Sequence, residues 1–335
     1  MINVGVIGVG YWGPNMIRNF SASRRTNMKI CCDIREERLN FVKAQYPAVE
    51  VTTECNKVIK NPDIELVAVC TPVYTHFQLA KAALEAGKHV LIEKPMTASS
   101  QEADQLLELA EKKNLKIFVD HTFLFTGAVR KIKELIKSGE IGELYYFDSV
   151  RVNLGLFQHD VNVLWDLAPH DISIMHYVLE SIPTSVVATG ADHTGSGLEN
   201  VAYLTVFFPN NMIAHFHTNW LSPVKVRETL IAGSKKMIVW DDNQPSEKVR
   251  IYDKGIEVVK TADDVYNMLI QYRTGDMYCP KIDGREAIGV EVENIADCLE
   301  GKAAAVADGK AGRLVVRILE AAQESIKNRG KEVMI

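Results

Sequence analysis

The sequence is short of several features, and each shortage excludes a class of protein. No two of its six cysteines have the C-x-x-C spacing. Cys31, Cys32, Cys55, Cys70, Cys279 and Cys298 are scattered, several of them inside apolar runs. That pattern does not suggest a zinc site or a disulfide framework, and it leads us to expect reduced, packed thiols in a cytoplasmic protein. Basic residues are not in excess. Lys and Arg number 38 against 43 Asp and Glu, a formal net charge of −5, where a dedicated nucleic-acid binder is usually basic. No apolar run approaches the roughly 18 residues of a membrane span. The opening Met1-Ile2-Asn3-Val4-Gly5 reads as a strand and not as the basic stretch and apolar run of a secretion signal. We find no internal repeat and no low-complexity tract.

What remains is a chain of 335 residues with 47% hydrophobic content, enough for two domains at roughly 150 residues each. In the first third, short apolar runs at 2–7, 28–32, 65–70, 89–92 and 116–119 alternate with helical patterns at 14–20, 36–46, 75–86 and 101–113. Such alternation predicts an α/β, doubly wound parallel sheet covered on both faces. After about residue 125 the rhythm changes. Helical patterns at 129–137 and 166–179 flank a strand at 144–152. Strands at 186–191, 201–208, 212–220, 227–232 and 236–240 then follow one another across short turns. Consecutive strands of that kind predict a large, mainly antiparallel open sheet. Helices at 290–299 and 313–327 close the chain. We therefore expect a first domain over 1–122 and a second over 123–335.

Three short segments carry chemistry. Gly8-Val9-Gly10-Tyr11-Trp12-Gly13 is a G-x-G-x-x-G loop that follows a strand and opens a helix, the context in which it cradles a pyrophosphate. The first glycine permits a tight turn, the second lets the backbone approach the phosphates, and the third lets helix and strand pack closely. Asp33, in Asp33-Ile34-Arg35, lies roughly 20 residues beyond the loop, where a carboxylate accepts from the ribose hydroxyls of NAD and repels a 2′-phosphate. Arg35 works in the other direction, since it could pair with that phosphate. In Glu93-Lys94-Pro95 the proline biases Lys94 away from helix at the end of a strand. Taken alone, such a tripeptide is more often a solvated loop than a site. In Trp165-Asp166-Leu167-Ala168-Pro169-His170, Asp166 and His170 are four apart and share one face of a helix whose first turn would tolerate Pro169. An acid beside a histidine can fix its tautomer for proton removal, although by spacing alone a surface ion pair is the commoner arrangement.

Together these segments resemble the glucose–fructose oxidoreductase / inositol dehydrogenase / rhizopine catabolism family from the glycine loop to the last helix. The run Arg151-Val152-Asn153-Leu154-Gly155, continued through Asp160, Asn162 and Trp165-Asp166-Leu167, is similar to a branch acting on sugars and nucleotide-linked sugars, including UDP-N-acetylglucosaminuronate 3-dehydrogenases. The resemblance implies a Rossmann domain and a C-terminal α/β domain whose open sheet packs in homodimers or homotetramers. It also implies NAD as cofactor (NADP being the weaker option), a small-molecule sugar or nucleotide-sugar substrate, and no nucleic-acid, membrane or metal partner. By position, Lys94, Asp166 and His170 would be catalytic. His170 would take the hydroxyl proton as hydride leaves for nicotinamide, and Lys94 would steady the oxyanion. Gly8, Gly10, Tyr11, Trp12, Gly13, Asp33, Ile34, Arg35, Thr71, Pro72, His76, Glu93, Lys94 and His121 would line the cofactor. Arg151, Asn153, Asp160, Asn162, Trp165, Asp166, His170 and Lys94 would meet the substrate, an arginine being suited to a carboxylate or phosphate. A free-sugar or inositol dehydrogenase is the alternative enzyme, and a non-catalytic NAD-dependent sugar sensor the alternative class. Lys225 and Arg227 read as a solvated strand edge, and His215 with His217 as one face of a strand without a third metal ligand.

Overall fold

The computed structural model describes residues 1–155, 157–158, 160–258 and 270–335. The chain divides into two compact units, Met1–Thr126 with Arg285–Glu320, and Gly127–Gly284 with Ala321–Ile335.

The first unit is a six-stranded parallel sheet. Its strands β1 (Ile2–Ile7), β2 (Thr26–Cys32), β3 (Glu50–Thr52), β4 (Leu66–Val69), β5 (His89–Glu93) and β6 (Ile117–Asp120) lie in the order β3-β2-β1-β4-β5-β6. The helices α1 (Gly13–Ala22), α2 (Glu36–Gln45), α3 (Cys55–Ile59), α4 (Val73–Glu85) and α5 (Ser100–Lys112) make the crossovers, and a short 3-10 turn, Thr122–Phe125, follows β6. Strands buried on both sides need apolar side chains on both faces, and β4 (Leu-Val-Ala-Val) is buried at every position. Strand order reverses between β1 and β4, and ligands of doubly wound sheets bind beyond the strand ends at that point. The glycine loop after β1 and the Cys70-Thr71 turn after β4 meet there.

The second unit contains α6 (Gly127–Lys137), α7 (Val163–Leu179) and a nine-stranded sheet. Its strands are β7 (Leu144–Leu154), β8 (Ser185–Ala191), β9 (Val201–Phe207), β10 (Ile213–Asn219), β11 (Leu221–Gly233), β12 (Met237–Asp241) and β13 (Val249–Tyr252), a separate ribbon of β14 (Gly255–Val258) and β15 (Ile270–Arg273) intervening before β16 (Met277–Tyr278) and β17 (Val333–Met334). The nine-strand order is β16-β13-β12-β11-β7-β10-β9-β8-β17. Only the β7–β10 pair is parallel, and every other pairing in this sheet is antiparallel. The α/β class and the character of both sheets are as expected from the alternation of apolar runs.

The division of the chain differs from a single boundary at 122. The last two helices are α8 (Ala287–Leu299) and α9 (Gly309–Lys327), and α8 with the first part of α9 joins the first unit, not the second domain as the sequence suggests. The cause is packing. Ile288, Val292, Ile295 and Ala296 of α8 are buried in one core with Val4, Val6, Ile17 and Phe20. Arg25 pairs with Asp297 at 2.6 Å and with Glu300 at 2.7 Å along the rim. The short β3 and α3 carry too few periodic residues to have been anticipated.

Candidate active site

The glycine loop is built from backbone. Gly8 has φ +99°, and a Cβ there would lie 2.5 Å from the Cys70 carbonyl oxygen, so only glycine fits the turn. A Cβ on Gly13 would fall 2.0 Å from the Gly8 carbonyl oxygen, which is how α1 comes so close to the loop. Gly10 differs: its absent Cβ would meet nothing nearer than the Arg35 guanidinium at 3.9 Å. That open face, together with the start of α1, where no side chain caps the helix, is the cradle a dinucleotide pyrophosphate requires.

Asp33 is 7% exposed at the end of β2. One carboxylate oxygen accepts from Val9 N–H at 2.7 Å and the other from Arg35 N–H at 2.9 Å. Burial alone would raise its pKa, but these N–H donors and the Arg35 guanidinium hold it below the usual carboxylate range. Asp33 is thus ionised and fixed against the glycine loop. Arg35, 3.3 Å from Asp33, is half-exposed, and the side chains of Tyr11 and Ile34 stand out in solvent.

Lys94 follows β5, and its bond to Pro95 is cis. His76 on α4 is 1% exposed. Its Nε2 faces the Thr71 carbonyl oxygen at 2.7 Å and its Nδ1 the Pro95 carbonyl oxygen at 3.0 Å. This corrects the expectation that His76 touches the cofactor. Both ring nitrogens are turned to the protein's own carbonyls, so the ring ties the Thr71 turn to the Lys94-Pro95 loop. Burial, assisted by the charge of Lys94, keeps the imidazole less basic than usual against the pull of the two carbonyls. Pro72 caps α4 and is exposed, whereas His121 is buried at the start of the 3-10 turn.

Sequence reasoning missed Asp120 and Glu291, which form a carboxyl cluster with Glu93 in the same unit. Asp120, at the end of β6, accepts from the Trp12 indole N–H and from the Thr122 hydroxyl. Trp12, expected at the cofactor, is therefore anchored through its ring nitrogen to β6. Glu93 and Glu291 of α8 both neighbour Asp120. Burial and the charge of Asp120 push both glutamates well above the usual carboxylate range, so they are held as neutral acids. Glu291 is 2% exposed. One signal could have flagged it: with Ile288, Val292 and Ile295 it lies on the apolar stripe of α8.

In the second unit α7 starts at Val163, three residues before the expected Asp166, because Asn162 caps it by accepting from Trp165 N–H at 3.0 Å. Two consequences correct the sequence reading. Pro169 lies inside the helix rather than in its first turn, so the Trp165 carbonyl loses its helical donor. Asn162 is not placed to meet a substrate: besides the cap, its amide donates at 2.6 Å to both Glu199 and Gln323, and the residue is 4% exposed. Arg151 is corrected likewise. It is 3% exposed and makes a two-bond fork to Asp171, Nε to Oδ2 and Nη2 to Oδ1, each at 2.7 Å. Asp171 directly follows His170, and nothing local in the sequence marks it as the partner of Arg151.

Asp166 and His170 share a face of α7 and are both half-buried, as is Trp165. The Asp166 carboxylate accepts from the Trp220 indole N–H at 3.1 Å. Trp220 in turn lies under Gly155, whose Cβ would approach its ring to 2.4 Å. Asn153 is half-buried on β7, and Asp160 is exposed. His215 contacts Asp148 at 3.3 Å, and Tyr203 stacks on His217 with centroids 4.5 Å apart. Among the described residues no group of three or more His, Cys, Asp or Glu side chains is arranged to hold a metal ion. Lys225 is exposed and Arg227 pairs with Asp242 at 3.7 Å. No helix among the described residues is long and apolar enough to cross a membrane.

Residues 2–121 match the oxidoreductase family with an NAD-binding Rossmann fold, and residues 129–239 match the GFO/IDH/MocA C-terminal domain. A UDP-N-acetylglucosamine 3-dehydrogenase of Acidithiobacillus ferrooxidans is 26% identical over 333 residues, covering 94% of each chain. The NADP(+)-dependent scyllo-inositol 2-dehydrogenase IolW of Bacillus subtilis is 26% identical across 98% of this chain and 94% of its own. An uncharacterised oxidoreductase of the same organism, YrbE, is 28% identical over 64% of this chain, and the match spans 65% of that relative's length. The solved structure of the Acidithiobacillus enzyme superposes with a TM-score of 0.82 over 98% of both chains at 21% identity, and so shares the fold.

Proposed function

Because the chain belongs to the GFO/IDH/MocA oxidoreductase family, with its NAD(P)-binding Rossmann fold, we propose that it is an NAD-dependent dehydrogenase of a sugar, acting on C3 of a nucleotide-linked sugar such as a UDP-N-acetylhexosaminuronate. The observation that carries this reading is the set of side chains left for chemistry. Lys94 follows β5 beside a backbone cradle that fits a dinucleotide, and Asp166 with His170 lies on one face of α7. The relatives support the substrate class. Those similar over nearly the whole chain are named for a secondary ring position, C3 of UDP-N-acetylglucosamine in one and C2 of scyllo-inositol in the other.

A nicotinamide dinucleotide, when bound, supplies the hydride acceptor. Gly10 and the start of α1 hold its pyrophosphate, and Asp33 accepts from its ribose hydroxyls. The fixed negative charge of Asp33 favours NAD over NADP. His170 removes the proton of the reacting hydroxyl, and Asp166, oriented by Trp220, holds the imidazole in register. Lys94 donates to the oxygen as negative charge grows on it. His76 supports Lys94 by fixing the Pro95 carbonyl. Asn153, Asp160 and Trp165 remain as substrate contacts. The half-exposed face of the nine-stranded sheet, with Tyr203, Ile213, His215 and His217, packs against a second copy in a homodimer or homotetramer.

The test is to follow NADH formation with UDP-N-acetylglucosaminuronate, UDP-N-acetylglucosamine, myo-inositol and scyllo-inositol. Turnover only with the nucleotide sugars supports the reading, and turnover only with inositols replaces it by the second one that the Bacillus relative favours. Lys94→Ala and His170→Ala should each lower kcat by about 10²- to 10⁴-fold with NAD affinity retained. Near-normal kcat in either removes its assigned role.

A further inference from the structure

Two cysteines that are 23 residues apart meet beside the cofactor cradle. Cys32 ends β2 and Cys55 begins α3, and their sulfur atoms are 3.4 Å apart. The register explains the meeting. Cys32 pairs with Thr52 across β2 and β3, and the chain turns back at once, with Glu54 N–H donating to the Thr52 hydroxyl at 3.1 Å. Cys32 is fully buried, whereas Cys55 is half-buried and accessible from solvent. The neighbouring Cys31 is also fully buried. The pair adjoins the ribose-reading position: Gly8 N–H donates to the Cys32 carbonyl at 2.8 Å, and Asp33 N–H donates to the Thr52 carbonyl at 3.3 Å.

The two thiols are chemically unequal. The two sulfurs share a hydrogen bond in which either can be the donor, and this contact lowers the Cys55 thiol to about 7 and raises that of Cys32. A thiolate is the nucleophilic form of cysteine, and Cys55 is also the sulfur of the pair that solvent reaches, so Cys55 is the attacking group and Cys32 its resolving partner. Cys31 is pushed up to about 12 by burial and is inert.

We propose that Cys55 and Cys32 form an oxidant-responsive pair, modified by hydroperoxides to a reversible disulfide that weakens dinucleotide binding at Asp33. The effect on binding rests on Asp33 holding the ribose, but the bond formation does not. In the first step the Cys55 thiolate attacks one peroxide oxygen, the O–O bond breaks, and hydroxide or alkoxide leaves, giving Cys55 sulfenic acid. In the second, the Cys32 sulfur attacks the Cys55 sulfur and displaces its hydroxyl, which leaves as water with the Cys32 proton. The sulfur pair loses two electrons and the peroxide gains them. Closing the 3.4 Å contact to a bond of about 2.05 Å brings the sulfurs about 1.3 Å closer, and the Cys32 side chain and the end of β2 share that adjustment next to Asp33.

The whole protein is treated with hydrogen peroxide, quenched with an alkylating agent and digested with trypsin. The expected product links peptide 30–35 to peptide 44–57 and separates with dithiothreitol. Cys55→Ser and Cys32→Ser should each abolish the link, and Cys31→Ser should leave it. Calorimetric titration should show a Kd for NAD at least tenfold higher after oxidation of the native protein, and unchanged after the same treatment of Cys55→Ser. No link, a link through Cys31, or Cys55 oxidised only to sulfinic acid overturns the pair. A link with an unchanged Kd overturns its effect on the cofactor. Failure of the reduced protein to bind NAD overturns the reading of Asp33 and the effect with it, while the link still decides the chemistry.

Discussion

The two units place their functional groups in opposite ways. In the first, the candidate site is mostly backbone: a glycine loop, an uncapped helix start, and carbonyls of Thr71 and Pro95 tied by one buried histidine. In the second, it is made of side chains crowded into residues 151–171, and the fold uses several of them for itself. Arg151 is committed to Asp171, Asn162 to the cap and to Glu199 and Gln323, and Asp166 accepts from Trp220. The difference teaches that a cluster of polar residues along a sequence is not yet a binding site. Burial and partners decide which of them a substrate can reach.

The sharpest way to break this comparison is Arg151→Ala. Were Arg151 a substrate contact, the variant would fold normally and show a raised KM. With its guanidinium buried against Asp171, removal leaves an uncompensated carboxylate in the core, and breaking such a pair costs about 3–5 kcal/mol. We expect a loss of that size in urea unfolding followed in the second unit. A stable variant with a raised KM would return Arg151 to the substrate.

The backbone side of the comparison is sharpened by two glycines of the same loop. Gly10→Ala places its Cβ in open space and should leave thermal stability nearly unchanged, while weakening NAD binding by about tenfold or more through lost approach of the pyrophosphate. Gly8→Ala forces a side chain onto φ +99° and into the Cys70 carbonyl, so it should destabilise the first unit whether or not NAD is present. Calorimetric titration with and without a melting curve separates the two outcomes. Equal behaviour of the two variants would mean that the glycines share one role.

These contrasts also show what could be read from residues alone. Both sheets were legible because apolar runs and their spacing are local properties. The tight turn of the glycine loop was legible because it lies in contiguous backbone, and the placement of Asp33 against it because their separation is set by one βαβ crossover. The fate of Trp12 was not, since its indole bonds to Asp120, 108 residues away. The domain membership of α8 was not either: an amphipathic stripe shows that a helix is buried but not against what. Arg151 and Asp171 were separated by a strand end, a loop and a helix start, and no local pattern joins them. Cys32 and Cys55 came together through a strand register too short to be foreseen.

The smallest expected effect concerns the carboxyl cluster where the backbone site meets side chains. Glu291 is buried and neutral, its folded pKa well above the usual 4.5. The folded state therefore keeps a proton that the unfolded chain releases. Its contribution is fully present below about pH 4.5 and is lost as pH rises through the folded value, at a slope of at most about 1.4 kcal/mol per pH unit. Glu291→Gln keeps the shape and removes the titration, so its melting temperature should fall less than that of the native protein between about pH 5 and pH 8. Parallel curves for the two proteins would mean that Glu291 is ionised in the fold. The glycine loop would then be anchored, through Trp12 and Asp120, beside an ionised Glu291 instead of a neutral one.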